Sequence, residues 1–169
     1  MGEIYKSSQV ASILNKELPR KVKYFSEFLV SGNLFIPQDN PDIDNVISLN
    51  VYPRIISSKL VETEIGISND GQSLSGYKLM VEVEIKEKLK YASKNSDQSI
   101  HGISFERIIK SVFIVVPGTV NGYRVCDLVR KKQIIVRPYI EDVYVTIKDN
   151  RSIFQNIIIL VDVKFLNNR

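Results

Sequence analysis

The sequence predicts an all-β protein, an antiparallel β-sandwich or a strongly twisted sheet, with a short N-terminal amphipathic helix or arm. Three observations carry that expectation. Leu79, Val81, Val83, Ile85, Leu89 and Tyr91 alternate with Lys78, Glu82, Glu84, Lys86, Lys88 and Lys90, and a period of two over that length has no helical reading. Asp70-Gly71 stands between two alternating segments, as a hairpin turn requires. Further apolar segments recur at hairpin spacing, separated by Pro117-Gly118, Asn121-Gly122 and Asp149-Asn150.

The first segment differs from the rest. Val10, Ile13, Leu14 and Leu18 lie on one face of a helix predicted over residues 8–18. Ser7 or Ser8 caps its start and Pro19 stops it. So short a helix is marginal in water, so its apolar stripe needs something to pack against. Residues 1–24 are accordingly expected to form an arm, and residues 25–169 the β domain.

Within that domain, Phe25, Phe28, Val30, Leu34, Phe35 and Ile36 form a first apolar segment, ended by Pro37 and a turn over Gln38-Asp39-Asn40-Pro41-Asp42. A strand is expected near Val46–Ile56, with Leu49, Val51 and Ile55 on one face, and Pro53 marks it as an edge strand or a bulge. Val61, Thr63, Ile65 and Ile67 alternate into the Ser68-Asn69-Asp70-Gly71 turn, and the long alternating strand returns from it. Glu87 interrupts the apolar face of that strand, which predicts a bulge or an exposed edge. Ala92–Gly102 reads as a polar loop. Strands then follow over about Ile108–Val116, Gln133–Ile147 and Ile153–Leu166. The continuous run Ile157–Val161 suits a central strand buried on both faces. The expected core includes Phe113, Val115, Val81, Val83, Ile85, Ile158 and Leu160.

Composition narrows function by exclusion. The 169 residues carry 23 Lys and Arg against 19 Asp and Glu, with 44% apolar residues. The basic excess near Lys16, Arg20, Lys21 and Lys23 and at Arg130, Lys131 and Lys132 is small, and acids are interleaved along the long strand. Solvated strand faces, rather than a nucleic-acid surface, are the expectation. No apolar run is long enough to span a membrane, and the N-terminus lacks the apolar region of a signal peptide. A single cysteine, Cys126, excludes an intrachain disulfide framework.

Catalytic constellations are equally sparse. Cys126 and the single histidine, His101, are formally a nucleophile and a base, but neither stands in a supporting motif. Asp39, Asp42 and Asp44 lack calcium-loop spacing and read better as turn-forming residues. Glu141-Asp142 lies inside a strand pattern, where a bulge or a surface ion pair is expected. The eight glycines are scattered as turn residues, and the eight tyrosines as sheet packing. The expectation is a protein without cofactor, metal or catalytic residues.

Several segments together resemble one family. Ile36-Pro37 followed by Pro41-Asp42-Ile43-Asp44 is similar to the opening of the SPOCS domain of clostridial spore-coat morphogenetic proteins. Further matches follow in order: Leu74-Ser75-Gly76 leading to a strand that ends at Tyr91, Ser104-Phe105, Val116-Pro117-Gly118, Ile140-Glu141-Asp142, and Val161-Asp162-Val163. The resemblance covers about residues 30–166. Asn40 departs from it, standing where the family usually has a charged residue such as Lys. Such coat proteins also carry a C-terminal LysM-type module, whereas this sequence ends at Arg169, so a stand-alone domain is expected. The resemblance implies a non-enzymatic structural protein of the spore coat, exosporium or a surface appendage, made in the mother-cell cytoplasm. Its partners would be further copies, in an oligomer or filament, or other spore-envelope proteins bound through a sheet edge, with neither nucleic acid nor membrane involved. The candidate assembly interface is the arm's apolar set: Ile4, Tyr5, Val10, Ile13, Leu14 and Leu18.

Overall fold

Alternation becomes strand in the computed structural model, which describes residues 18–94 and 100–166. Nine strands and one short helix are formed by these residues. They run β1 (Tyr24–Phe35), β2 (Ile43–Ile67), β3 (Ser73–Ser93), β4 (Ile100–Ser104), β5 (Ile108–Val115), β6 (Thr119–Val120), β7 (Tyr123–Arg124), α1 (Val125–Arg130), β8 (Ile134–Asp149) and β9 (Ser152–Phe165). All pairings are antiparallel. One large sheet has the order β1-β9-β8; in the other, β3 is paired along one side with β2 and along the other with β4 and β5, and β6 and β7 pair as a separate two-stranded ribbon. β2 lies against β8 and β1 against β5, so the two sheets enclose one apolar core.

The register explains which residues form that core. Val81, Val83, Ile85, Leu89 and Tyr91 of β3 are buried, and Ile153, Ile157, Ile159, Val161 and Val163 of β9 are buried in the same cluster. Directly paired residues of antiparallel strands point to the same face. Leu79 and Val81 therefore bring their partners Ile114 and Val112 inside. This corrects the expected phase of β5: Phe113 is 54% exposed and Val115 only half-buried. Every residue from Val112 to Val116 is apolar, so pattern alone does not set the phase, and the pairing with β3 does. Likewise in β9 the odd positions face the core and Ile158 is 37% exposed on the other face, whereas Leu160 is buried there between Glu27 and Tyr139.

Three further expectations change. The separate strands near Val46–Ile56 and Val61–Ile67 are one strand, β2, which absorbs its irregularities as register shifts, including one between Ile55 and Ser57. Pro53 is accommodated because β3 is the only ladder partner of β2 among the described residues. Glu87 makes neither bulge nor exposed edge: the ladder runs unbroken through Val51 and Glu87, and the side chain is buried. The loop after Ala92 is shorter than expected, since β3 continues to Ser93 and β4 begins at Ile100. The single turn of helix α1 is too short to leave a periodic signal, and it buries Val125 and Leu128.

The turns follow their chemistry. Asn121 and Gly122 have φ of 49° and 84°, the paired left-handed geometry that joins two-residue hairpins. At the β2–β3 turn Gly71 has φ 79°, and its N–H donates to the Ser68 carbonyl at 2.9 Å. At the β8–β9 turn the Asp149 carboxylate accepts from the Ser152 hydroxyl at 2.6 Å and from the Arg151 N–H at 2.8 Å. Those hydrogen bonds hold its carboxyl below the ordinary range.

Candidate assembly surface

The arm enters the described structure at Leu18, which is 47% exposed. Ile4, Tyr5, Val10, Ile13 and Leu14 of the proposed interface, and most of the helix predicted over residues 8–18, lie outside the described residues. The β domain begins with β1 at Tyr24, whose ring packs edge-to-face on Phe165 at 5.5 Å, so Tyr24 belongs to the domain and not to the arm. Just before it, Lys21 and Lys23 help line a recess of about 330 Å³ with Tyr24, Asn121, Asp162 and Lys164. Lys23 Nζ stands 5.3 Å from the Tyr24 ring centre.

The β2–β3 hairpin extends beyond the layers. β5 pairs with β3 only from Lys78 onward, and the last connection on that side runs from Val116 N–H to the Tyr77 carbonyl at 3.1 Å. The Ser75 hydroxyl donates to the Val116 carbonyl as well. Past this point β2 and β3 have only each other among the described residues. Ile65 and Ile67, on one side of the ribbon, are 82% and 77% exposed. Gly76, at φ 87°, lies beneath Ile65, where an added Cβ would meet Ile65 Cγ1 at 2.9 Å. Alternation places these isoleucines in a strand but carries no signal of their exposure, which among the described residues follows from the ribbon extending past β5.

The solvent face of the β2–β3 sheet is organised around Glu84, whose side chain is buried. Arg54, its direct partner on β2, donates from Nε at 3.1 Å and lies at 2.8 Å through Nη2. Arg107 Nη1 is at 3.4 Å and Lys86 Nζ at 3.7 Å. Burial pushes the Glu84 carboxyl up, but the Arg54 hydrogen bond and charge, with Lys86 and Arg107, outweigh it and leave the group below its ordinary range. Beyond Glu84 the same face carries Lys86, Lys88 and Lys90. Lys88 Nζ is 5.8 Å from the Tyr52 ring centre. Here Lys88, Lys90, Asn50, Ile100, Gly102 and Ser104 contribute to an open notch of about 370 Å³.

Among the described residues, a buried polar contact joins the two sheets. Gln155 Nε2 of β9 donates to both carboxylate oxygens of Glu87 at 2.9 Å, and both residues are buried. Burial raises the Glu87 carboxyl, and the hydrogen bond from Gln155 offsets only part of that. Glu141 occupies the β8 bulge between Ile140 and Asp142; burial, then the nearby Glu27, raises its carboxyl too.

The other chemical candidates are not brought together. His101 stands on β4 with its ring stacked on Tyr91 at 5.6 Å, and Cys126 is half-buried on α1; these elements do not pair. Of the three turn aspartates, Asp42 is engaged by Arg151 at 2.7 Å. The same guanidinium donates to the carbonyls of Pro37 and Asn40 at 2.5 and 3.1 Å, and the Tyr91 hydroxyl donates to the Pro41 carbonyl at 2.9 Å. Among the described residues no cluster of His, Cys, Asp and Glu has metal-binding geometry, and no helix is long and apolar enough to cross a membrane. No family model, curated protein or solved structure matches the chain.

Proposed function

We propose that this chain is a non-enzymatic structural subunit of the bacterial spore surface (coat, exosporium or appendage) that self-assembles through its β domain and N-terminal arm. The observation that carries self-assembly is the uncovered apolar surface on strands at sheet edges: Ile65 and Ile67 on β2, and Leu29 and Phe35 on β1. Edge strands that must stay monomeric are usually short, charged or covered; these are long and carry large aliphatic side chains. The spore setting is supported by the motif order from Ile36-Pro37 to Val161-Asp162-Val163. Arg151 and Tyr91 give the first of those motifs a structural role, since they staple the Pro37–Asp42 turn.

The purified protein should form oligomers, filaments or sheets as a single species, visible by negative-stain electron microscopy and by light scattering. A protein that stays monomeric at high concentration overturns self-assembly. Pairing of β2 with a different envelope protein as an added strand would then be the alternative. A fluorescent fusion produced during sporulation should collect on the forespore surface; a diffuse mother-cell signal counts against the spore role.

A further inference from the structure

The hairpin tip and the lysine notch lie at opposite ends of the same ribbon, and their chemistries are complementary. From Leu60 to Tyr77 the chain has three acids, Glu62, Glu64 and Asp70, and no Lys or Arg, although the whole chain has a net charge of +4. At its end stand Ile65 and Ile67, almost fully in water. At the far end of β3 three successive outward positions are Lys86, Lys88 and Lys90, while Glu87 between them points into the core. Lys90 is paired with Gly102, and an added Cβ on Gly102 would meet only the Leu89 carbonyl, at 3.9 Å. The missing side chain leaves the floor of the notch open beside Lys88, Lys90 and the exposed Ile100. Room for an aliphatic side chain is thus flanked by ammonium groups.

We propose that the acidic β2–β3 hairpin tip of one molecule docks into the lysine-flanked notch over β4 of a second copy. Ile67 enters the opening above Gly102; Glu62, which the β2–β3 register sets on the same side of the ribbon as Ile65 and Ile67, meets Lys88 and Lys90, and Glu64 adds its charge from the opposite side. Along β3 about seventeen residues separate the tip from the notch, on the order of 55 Å at strand rise. A molecule therefore does not reach its own notch, and the contact runs between copies. The two surfaces differ, so the contact is head-to-tail, and repetition builds a ring or an open filament. The inference rests on the self-assembly reading and gives it a geometry. It also makes assembly sensitive to salt, because both charged partners are exposed.

Charge exchange tests it. E62K/E64K and K88E/K90E should each stay monomeric at concentrations where the wild type assembles, with unchanged far-UV circular dichroism. Mixed in equal amounts they should assemble again, since each tip then finds an oppositely charged notch on the other variant. The quadruple variant should assemble alone. If the wild type assembles and either double variant does so equally well, or if the mixture stays monomeric, the hairpin contact is wrong while self-assembly stands. A wild type that never assembles overturns both. Should a double variant fail to fold, Ile67→Asp at its exposed site decides: wild-type assembly by that variant overturns the contact, and at least a tenfold rise in the concentration needed for assembly supports it.

Discussion

Gln155 holds its side-chain amide 2.9 Å from both oxygens of Glu87, across the space between the two sheets. Gln155 Oε1 is buried without a hydrogen-bond partner. Protonation of Glu87 would bring an O–H donor beside that orphaned oxygen, which the ionised carboxylate cannot do. Burial pushes the Glu87 carboxyl in that direction, and the Gln155 hydrogen bond offsets only part of it.

The first prediction follows from the sign of that shift. A carboxyl raised on folding contributes stability that is present below its unfolded value, about 4.5, and lost as pH rises through the folded value. Glu84 and Asp149 are shifted the other way and lose their contribution as pH falls, so the difference between variant and wild type isolates Glu87. Glu87→Gln is uncharged at every pH, keeps one acceptor for Gln155 Nε2 and adds an amide donor for its Oε1, and should stabilise the protein at pH 7 by about 1–2 kcal/mol. Below about pH 4 the gain should vanish. Urea unfolding at several pH values measures it; a variant less stable than wild type at pH 7 would show that the carboxylate is ionised and favourably held.

Arg151 is the second test. Its guanidinium meets the Asp42 carboxylate and the carbonyls of Pro37 and Asn40, so it closes the β1–β2 connection against the β8–β9 turn. Arg151→Ala leaves several acceptors short of a donor and should cost about 2 kcal/mol. Asp42→Asn should cost less than about 1 kcal/mol, because that ion pair is substantially open to solvent. Lysine at position 151 cannot reproduce the fork and should recover only part of the loss. Equal losses in the Ala and Asn variants would assign the energy to the ion pair instead of the carbonyls.

The inner phase of the central strands gives the third. Val83 is fully buried opposite the β9 face, and Val83→Asp should abolish cooperative unfolding or leave an expanded state. Phe113→Ser, on the exposed face of β5, should change stability by under about 1 kcal/mol. Near-ultraviolet circular dichroism and thermal melts distinguish the two; a Val83→Asp protein that melts like the wild type would mean the sheet faces are inverted.

These cases mark how far pattern reading reached. β3 was legible because polar and apolar residues alternate through most of its length; Met80 is apolar on the outer face, and Glu87 is the acid on the inner one. Its reason, Gln155, lies 68 positions away and leaves no local trace. β5 is apolar on both faces near Val112–Val116, so its phase waits on its register with β3. The joined length of β2 was hidden by Pro53 and by its register shifts, which break the alternation without ending the strand. The proposed assembly surface was legible only in part. Acid-only composition between Leu60 and Tyr77 is visible in the sequence, but a notch created by Gly102 beneath lysines of another strand requires the fold.

The arm supplies the last prediction. The first ladder begins at Tyr24, and the first residues of the core cluster and of its packed surroundings are Tyr24, Phe28 and Val30. Removal of residues 1–17 therefore takes away no described core or sheet residue, and the β domain should remain folded with its cooperative transition intact. The removed segment holds Val10, Ile13 and Leu14, which with Leu18 follow a helical spacing in the sequence. Four such side chains are worth roughly 6–8 kcal/mol when buried, before ordering costs. That is enough to fasten one subunit to another, or to cover an edge of its own sheet. The two roles separate in a single comparison. If the stripe works between subunits, the truncated protein and Leu14→Asp both shift toward monomer in sedimentation velocity while their melting temperatures stay near wild type. If it covers its own domain, both melt earlier by several degrees, as a loss of about 1–2 kcal/mol produces in a domain of this size, and assembly persists.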